Sequence, residues 1–184
     1  MNRLTAEWSR RALAHDRARL IRNVSRTDED PYHFESMTDI ALVLEESIEV
    51  DVSPTFAWNF RTDISNWNDP PATFLLNGPF AEGSQGETLI PGQAPLVWWI
   101  RDVQTGRSFA IEIALDRARL RFEWLFGAAM RGTTRLTQSI ILSGNNAAAY
   151  RDQVQTGFGS TLADGMKRIA EEMVAADRKA KMAG

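Results

Sequence analysis

A chain of 184 residues with 43% hydrophobic content is the size of one globular domain with at most a small appendage, and it can bury a sizeable core. Cysteine is absent and histidine occurs only at His15 and His33, which excludes disulfides, thiolate metal sites and cysteine nucleophiles and argues against a histidine triad; neither a metal nor a cofactor is expected. Charge is unevenly spread: residues 1–26 hold seven arginines against Glu7 and Asp16, a net of +5, while residues 27–184 carry −8.

From Leu4 to Val24, apolar side chains at helical spacing (Leu4, Trp8, Ala12, then Leu13, Leu20, Ile21, Val24) alternate with arginines, which predicts an amphipathic helix. Such a helix is expected to pack on its own domain or on a second subunit, the latter giving a homo-oligomer through this helix. Nucleic-acid binding is not expected, because the basic residues form no run and the rest of the chain is acidic. Thr27 to Met37 is polar and reads as a linker, so residues 1–43 form an N-terminal extension and 44–180 the main domain. No stretch reaches the roughly 20 apolar residues of a membrane span, and the first 26 residues lack a signal-peptide core; the expected location is cytoplasmic.

In the main domain, Ser47 to Val52 alternates Ile48, Val50 and Val52 with Glu49 and Asp51, a half-buried strand. Ser53-Pro54 starts a helix carrying Phe56, Trp58 and Phe60, since serine caps free amides and proline suits the first helical position. A second short helix holds Ile64 and Trp67 before Asn68-Asp69-Pro70-Pro71 ends it. Six strands follow: Thr73–Asn77 (with Phe74 and Leu76 on one face), Glu87–Ile90, Leu96–Val103, Arg107–Ala114, Arg119–Phe126 and Thr133–Ser143. Turn-like separators and the absence of helices between them predict an antiparallel meander. A long helix from Ala147 to about Lys179 closes the chain with an apolar stripe at Tyr150, Val154, Phe158, Leu162, Met166, Ile169 and Met173. Gly157, Gly159 and Gly165 lie inside it, each costing about 1 kcal/mol against alanine; close approach to the sheet is the favoured reason and a local bend the alternative.

Faces follow from register. If Thr105-Gly106 is a two-residue loop, opposed residue numbers sum to 211, so Trp98, Ile100 and Asp102 meet Ile113, Ile111 and Phe109 on the inner face. A three-residue loop would bring Trp99 and Arg101 there instead. In the next strand Leu120, Phe122, Trp124 and Phe126 face in, against Arg119, Arg121 and Glu123. Within Gly132 to Gly144, one face carries Leu136, Ile140 and Leu142, but also Thr134 and Gln138. Either Gln138 bonds a neighbour such as Thr73 in a solid core, or this face lines a cavity that holds water or a ligand's polar group. Pockets with apolar walls and a few placed polar groups make the cavity the favoured reading.

The chain resembles the polyketide cyclase/dehydrase branch of the START-like, Bet v 1-like (SRPBCC) superfamily. The likeness is carried by Ile48-Glu49-Val50-Asp51-Val52-Ser53-Pro54 with Trp58 and Trp67, by Gly83-Ser84-Gln85-Gly86, by Val103-Gln104-Thr105-Gly106-Arg107, and by the Gly132–Gly144 and Gly157–Ile169 stretches, about residues 44–176 in all. The resemblance implies an α+β helix-grip fold, a curved antiparallel sheet of about seven strands with two short helices, whose long C-terminal helix helps enclose a hydrophobic cavity. It also implies a hydrophobic ligand of lipid, polyketide or aromatic type, or else cyclase/dehydrase chemistry on such a molecule; an assembly module built on the N-terminal helix is the third reading. The expected cavity residues are Trp58, Trp67, Phe74, Leu76, Trp98, Ile100, Phe109 and Ile111, continuing through Leu120, Phe122, Trp124, Leu136, Gln138 and Ile140 to Phe158 and Leu162 on the helix. For catalysis Asp102 is the best carboxylate among few inward candidates, Arg101 replaces it if the register slips, and a turn-flanking surface residue is the alternative; no catalytic constellation accompanies it, and Glu112 and Glu123 are expected to face solvent.

Overall fold

The structure, a computed structural model, describes residues 39–183. The N-terminal helix, the linker and both histidines lie outside the described residues. Seven strands form one antiparallel sheet in the order β1-β7-β6-β5-β4-β3-β2: β1 (Ile40–Val50), β2 (Thr73–Leu76), β3 (Gln85–Leu89), β4 (Leu96–Gln104), β5 (Ser108–Leu115), β6 (Ala118–Ala128) and β7 (Thr134–Ser143). The first strand therefore begins at Ile40, earlier than the alternation at Ser47 indicates, because its full length pairs with β7 from Ile40↔Ser143 to Val50↔Thr134.

Helix α1 (Pro54–Thr62) begins as its sequence requires: the Ser53 hydroxyl accepts the Phe56 amide at 3.2 Å and Pro54 fills the first turn. Asp63 then caps a 3₁₀ turn at Ile64–Asn66, and the Trp67 indole N–H donates to Arg61 O at 2.9 Å, which ties that turn back to α1. No helix among the described residues is long and apolar enough to cross a membrane.

The expected stripe on the C-terminal helix is buried at Val154, Phe158, Met166 and Met173, but the helix is two helices, α2 (Arg151–Phe158) and α3 (Leu162–Ala183). A side chain at Gly159 would place its Cβ 2.6 Å from the Gln155 carbonyl oxygen, and one at Gly165 would meet nothing within 4 Å. Close packing of the sheet therefore explains neither position; Gly159 stands at the break between α2 and α3, while Gly165 lies inside α3 and nothing in the structure explains it. Thr161 finishes the break, its hydroxyl donating to Gly157 O at 3.2 Å and lying 3.3 Å from Phe158 O, so the last carbonyls of α2 are not left bare.

The sum-of-211 register holds at Trp99↔Glu112, Ile100↔Ile111 and Arg101↔Ala110, then shifts to Gln104↔Ser108. Asp102 stands at this irregularity with φ +51, a bulge that breaks the expected Asp102 to Phe109 pairing. Its carboxylate is turned to the outer face and paired with Arg121. Glu112, on the same outer face, is not solvated as expected: it is buried, covered by Arg121 at 3.6 Å and Arg119 at 3.8 Å.

Candidate functional site

Between the sheet, α1 and α3 lies a cavity of about 200 Å³. Its apolar wall is mostly aromatic: Phe60, Trp67, Phe74, Trp98, Phe122 and Trp124, with Leu96, Ile111, Ile113 and Ile169. Of the expected cavity residues, Trp67, Phe74, Trp98, Ile111, Phe122, Trp124 and Gln138 border it. The other nine do not. Ile100, Leu120, Leu136 and Ile140 are sealed in a close-packed core, and Trp58 and Phe109 form part of an aromatic cluster there, Trp58 meeting the Phe109 and Phe126 rings edge-on at 5.9 and 5.4 Å. Phe158 stands behind the wall, its ring edge-on to Phe122 at 5.4 Å, and Leu76 and Leu162 pack on the core margin. Asp102 is absent from the lining and exposed, so it is no acid or base for this cavity.

Trp98 is fixed by two devices. Its indole N–H donates to the buried Thr88 hydroxyl at 3.1 Å, and the six-membered part of the ring lies over Gly86, the residue opposite it on β3. The absence of a side chain at Gly86 makes the slot that the indole fills. Trp67 leans on Trp98 at 5.5 Å and meets Phe74 edge-on at 5.4 Å, so one connected aromatic surface runs from the 3₁₀ turn to the sheet.

Thr134 and Gln138, the polar members of the β7 inner face, have different fates. The Thr134 hydroxyl donates to Val52 O at 2.8 Å and is buried. Gln138, opposite Trp124, borders the cavity and makes no side-chain hydrogen bond among the described residues; Thr73, the conceivable partner, is exposed on β2.

The remaining lining is charged and was not anticipated from sequence: Arg61, Asp69, Arg168 and Glu172, with Asn66 and Asn68 beside them. The Arg61 guanidinium lies 4.5 Å from the Trp67 ring centre and 4.3 Å from that of Trp124, a cation–π arrangement. Burial pushes Arg61 down to about 9, against the pull of Glu172 and with added repulsion from Arg168, which leaves it charged at neutral pH. Arg168 donates to Asn68 O at 2.7 Å and lies 3.6 Å from the Asp69 carboxylate. Burial raises both acids above the ordinary carboxylate range; Arg168 opposes the rise at Asp69, and Arg168 and Arg61 oppose it at Glu172. The Nε groups of Arg61 and Arg168 and the Trp124 Nε1 are buried without a hydrogen-bond partner among the described residues. A signal for part of this cluster existed: Arg168 and Glu172 are one helical turn apart beside Ile169, at the margin of the apolar stripe.

No family model matches the chain, and no curated protein matches its sequence. Solved structures do match in fold. Norcoclaurine synthase from Thalictrum flavum, as a point mutant in complex with a transition-state analogue, is 12% identical over 74% of this chain and 96% of its own, with a TM-score of 0.57. Another structure of that enzyme, in complex with dopamine and hydroxybenzaldehyde, covers 84% of this chain and 96% of its own at 10% identity and a TM-score of 0.55. Ara h 8.0201 is 14% identical over 72% of this chain and 94% of its own, with a TM-score of 0.54. At these identities the likeness is one of fold.

Proposed function

We propose that this chain, which has the helix-grip fold of the START-like, Bet v 1-like superfamily, binds a small hydrophobic molecule with an aromatic body in the cavity beneath α3. The observation that carries the reading is an aromatic-walled cavity on which Gln138 presents an amide with no protein partner among the described residues. Ligand sites of this kind are apolar with a few placed polar groups. Size narrows the class. A cavity of about 150 Å³ accommodates benzene, and drug-sized ligands occupy roughly 300–1,000 Å³, so about 200 Å³ suits one or two rings better than a sterol, a lipid or a folded polyketide. Norcoclaurine synthase, in complex with dopamine and hydroxybenzaldehyde, provides a precedent for small aromatic molecules on this fold.

An enzyme acting in the same cavity is the second reading. Asp69 and Glu172 favour it, because carboxylates held above their ordinary range inside a pocket are suited to proton transfer. Native mass spectrometry of protein purified from its own host tests the binding reading: a bound mass of a few hundred daltons or less, lost in Phe122→Ala, supports it. Unliganded protein, together with no uptake of any small aromatic probe, would count against it.

A further inference from the structure

We infer that Arg61 is the receptor for a carboxylate, and that the ligand is therefore an aromatic acid whose ring lies on the Trp67, Phe74 and Trp98 wall while its carboxylate meets the Arg61 guanidinium. This inference rests on the binding reading above and specifies the chemistry of the ligand. Arg61 is unusual among the charged residues of the cavity. Arg168 has the Asn68 carbonyl and the Asp69 carboxylate, and Glu172 sits at the margin, part-exposed on α3. The Arg61 guanidinium has two indole rings against it and, among the described residues, neither a carboxylate within ion-pair contact nor a hydrogen-bond acceptor.

An indole face stabilises positive charge but accepts no strong hydrogen bond, so the in-plane N–H groups of Arg61 keep their donor capacity. The residue is only part-buried and lines the cavity, while its charge is deep enough in the protein to be strongly desolvated. Part of its surface therefore lies on the cavity. A planar donor fork at the end of an aromatic slot matches a carboxylate attached to a ring, which it can bind through two parallel hydrogen bonds. A cationic ligand fits poorly, since it would meet two arginines, and both acids of the lining, Asp69 and Glu172, already lie in the field of Arg168. A neutral ligand can offer Arg61 an acceptor oxygen but leaves its desolvated charge uncompensated.

The test uses the full chain, isothermal titration calorimetry, and two isosteric pairs: benzoate with benzamide, and 2-naphthoate with 2-naphthamide. The acids should bind at least about tenfold more tightly than their amides, the scale of one charge-assisted hydrogen bond or more. Arg61→Met, which keeps the aliphatic length, should abolish that preference while the amides still bind. Arg61→Lys should retain part of it, as a point charge without the fork, and serves as the reading if the methionine variant does not fold. Equal affinity for acid and amide in the unmodified chain, or a preference that survives Arg61→Met, overturns the inference and leaves the cavity reading standing. A chain that takes up none of the four probes overturns both.

Discussion

Gly86→Ala is the sharpest single test of how the cavity is built. A Cβ at this position would lie 2.1–2.4 Å from three atoms of the Trp98 ring, so the indole must retreat by roughly 1.5 Å to restore ordinary contact. Trp98 is 2% exposed and close-packed interiors have little slack; overpacking of this kind costs about 1–3 kcal/mol. Retreat also stretches the 3.1 Å bond to Thr88, and a buried donor left unpaired costs about 1–3 kcal/mol more. Together these give about 2–6 kcal/mol, a fall in Tm of roughly 5–20 °C for a protein of this size. The assay is urea and thermal denaturation of Gly86→Ala alone and combined with Trp98→Leu, where the smaller side chain vacates the slot. In that background the alanine should cost far less, the difference being the coupling energy. A Gly86→Ala protein within about 0.5 kcal/mol of the unmodified chain, the range of an ordinary surface change, would refute the slot.

Gln138→Leu removes an amide that has no protein partner among the described residues, so stability should be unchanged or raised while binding of a ligand with a polar substituent weakens; melting curves with and without ligand read both effects. Phe122→Ala should lower stability by about 2–4 kcal/mol in chemical denaturation, toward the low end of the Phe→Ala range because one side of the ring already faces a void, and should also weaken uptake of aromatic probes. For Glu172 the folded-state value is raised, so its ionisation opposes folding as pH climbs above the unfolded-state value and the full effect is reached above the folded one. Glu172→Gln should therefore raise Tm slightly at pH 7–8 and have no effect at pH 3–4, the gain being small because solvent screens a part-exposed group; a loss of stability at pH 8 would contradict this.

The inner face of β6 was legible because strand alternation is strict there: Leu120, Phe122, Trp124 and Phe126 could only face one way. The hairpin loop itself has three residues, with Gln104 paired to Ser108, and the bulge at Asp102 restores the expected face to Trp98 and Ile100. Alternation does not say whether an inward side chain meets another side chain or a void. Ile100 and Leu136 look the same in sequence as Ile111 and Phe122, yet the first two are sealed and the others border the cavity. Charged lining was harder still, since Arg61 on α1 and Arg168 and Glu172 on α3 each read as the wet side of an amphipathic helix, and only the packing of α1 and α3 beneath the sheet turns them toward one space. The bulge at Asp102 had only a weak signal: aspartate tolerates a positive φ better than most residues, but whether it adopts one depends on how the hairpin closes.

The break between α2 and α3 has a consequence for hydrogen exchange. Eight residues are too few for a helix to hold itself together in water, so α2 persists because Val154 and Phe158 are buried, and its amides should exchange through a local opening that leaves the sheet intact. No residue of α2 borders the cavity. Yet the Phe158 ring rests against Phe122, which does, so a ligand that immobilises Phe122 should slow deuterium uptake along Arg151–Phe158, reporting occupancy from a segment the ligand never touches.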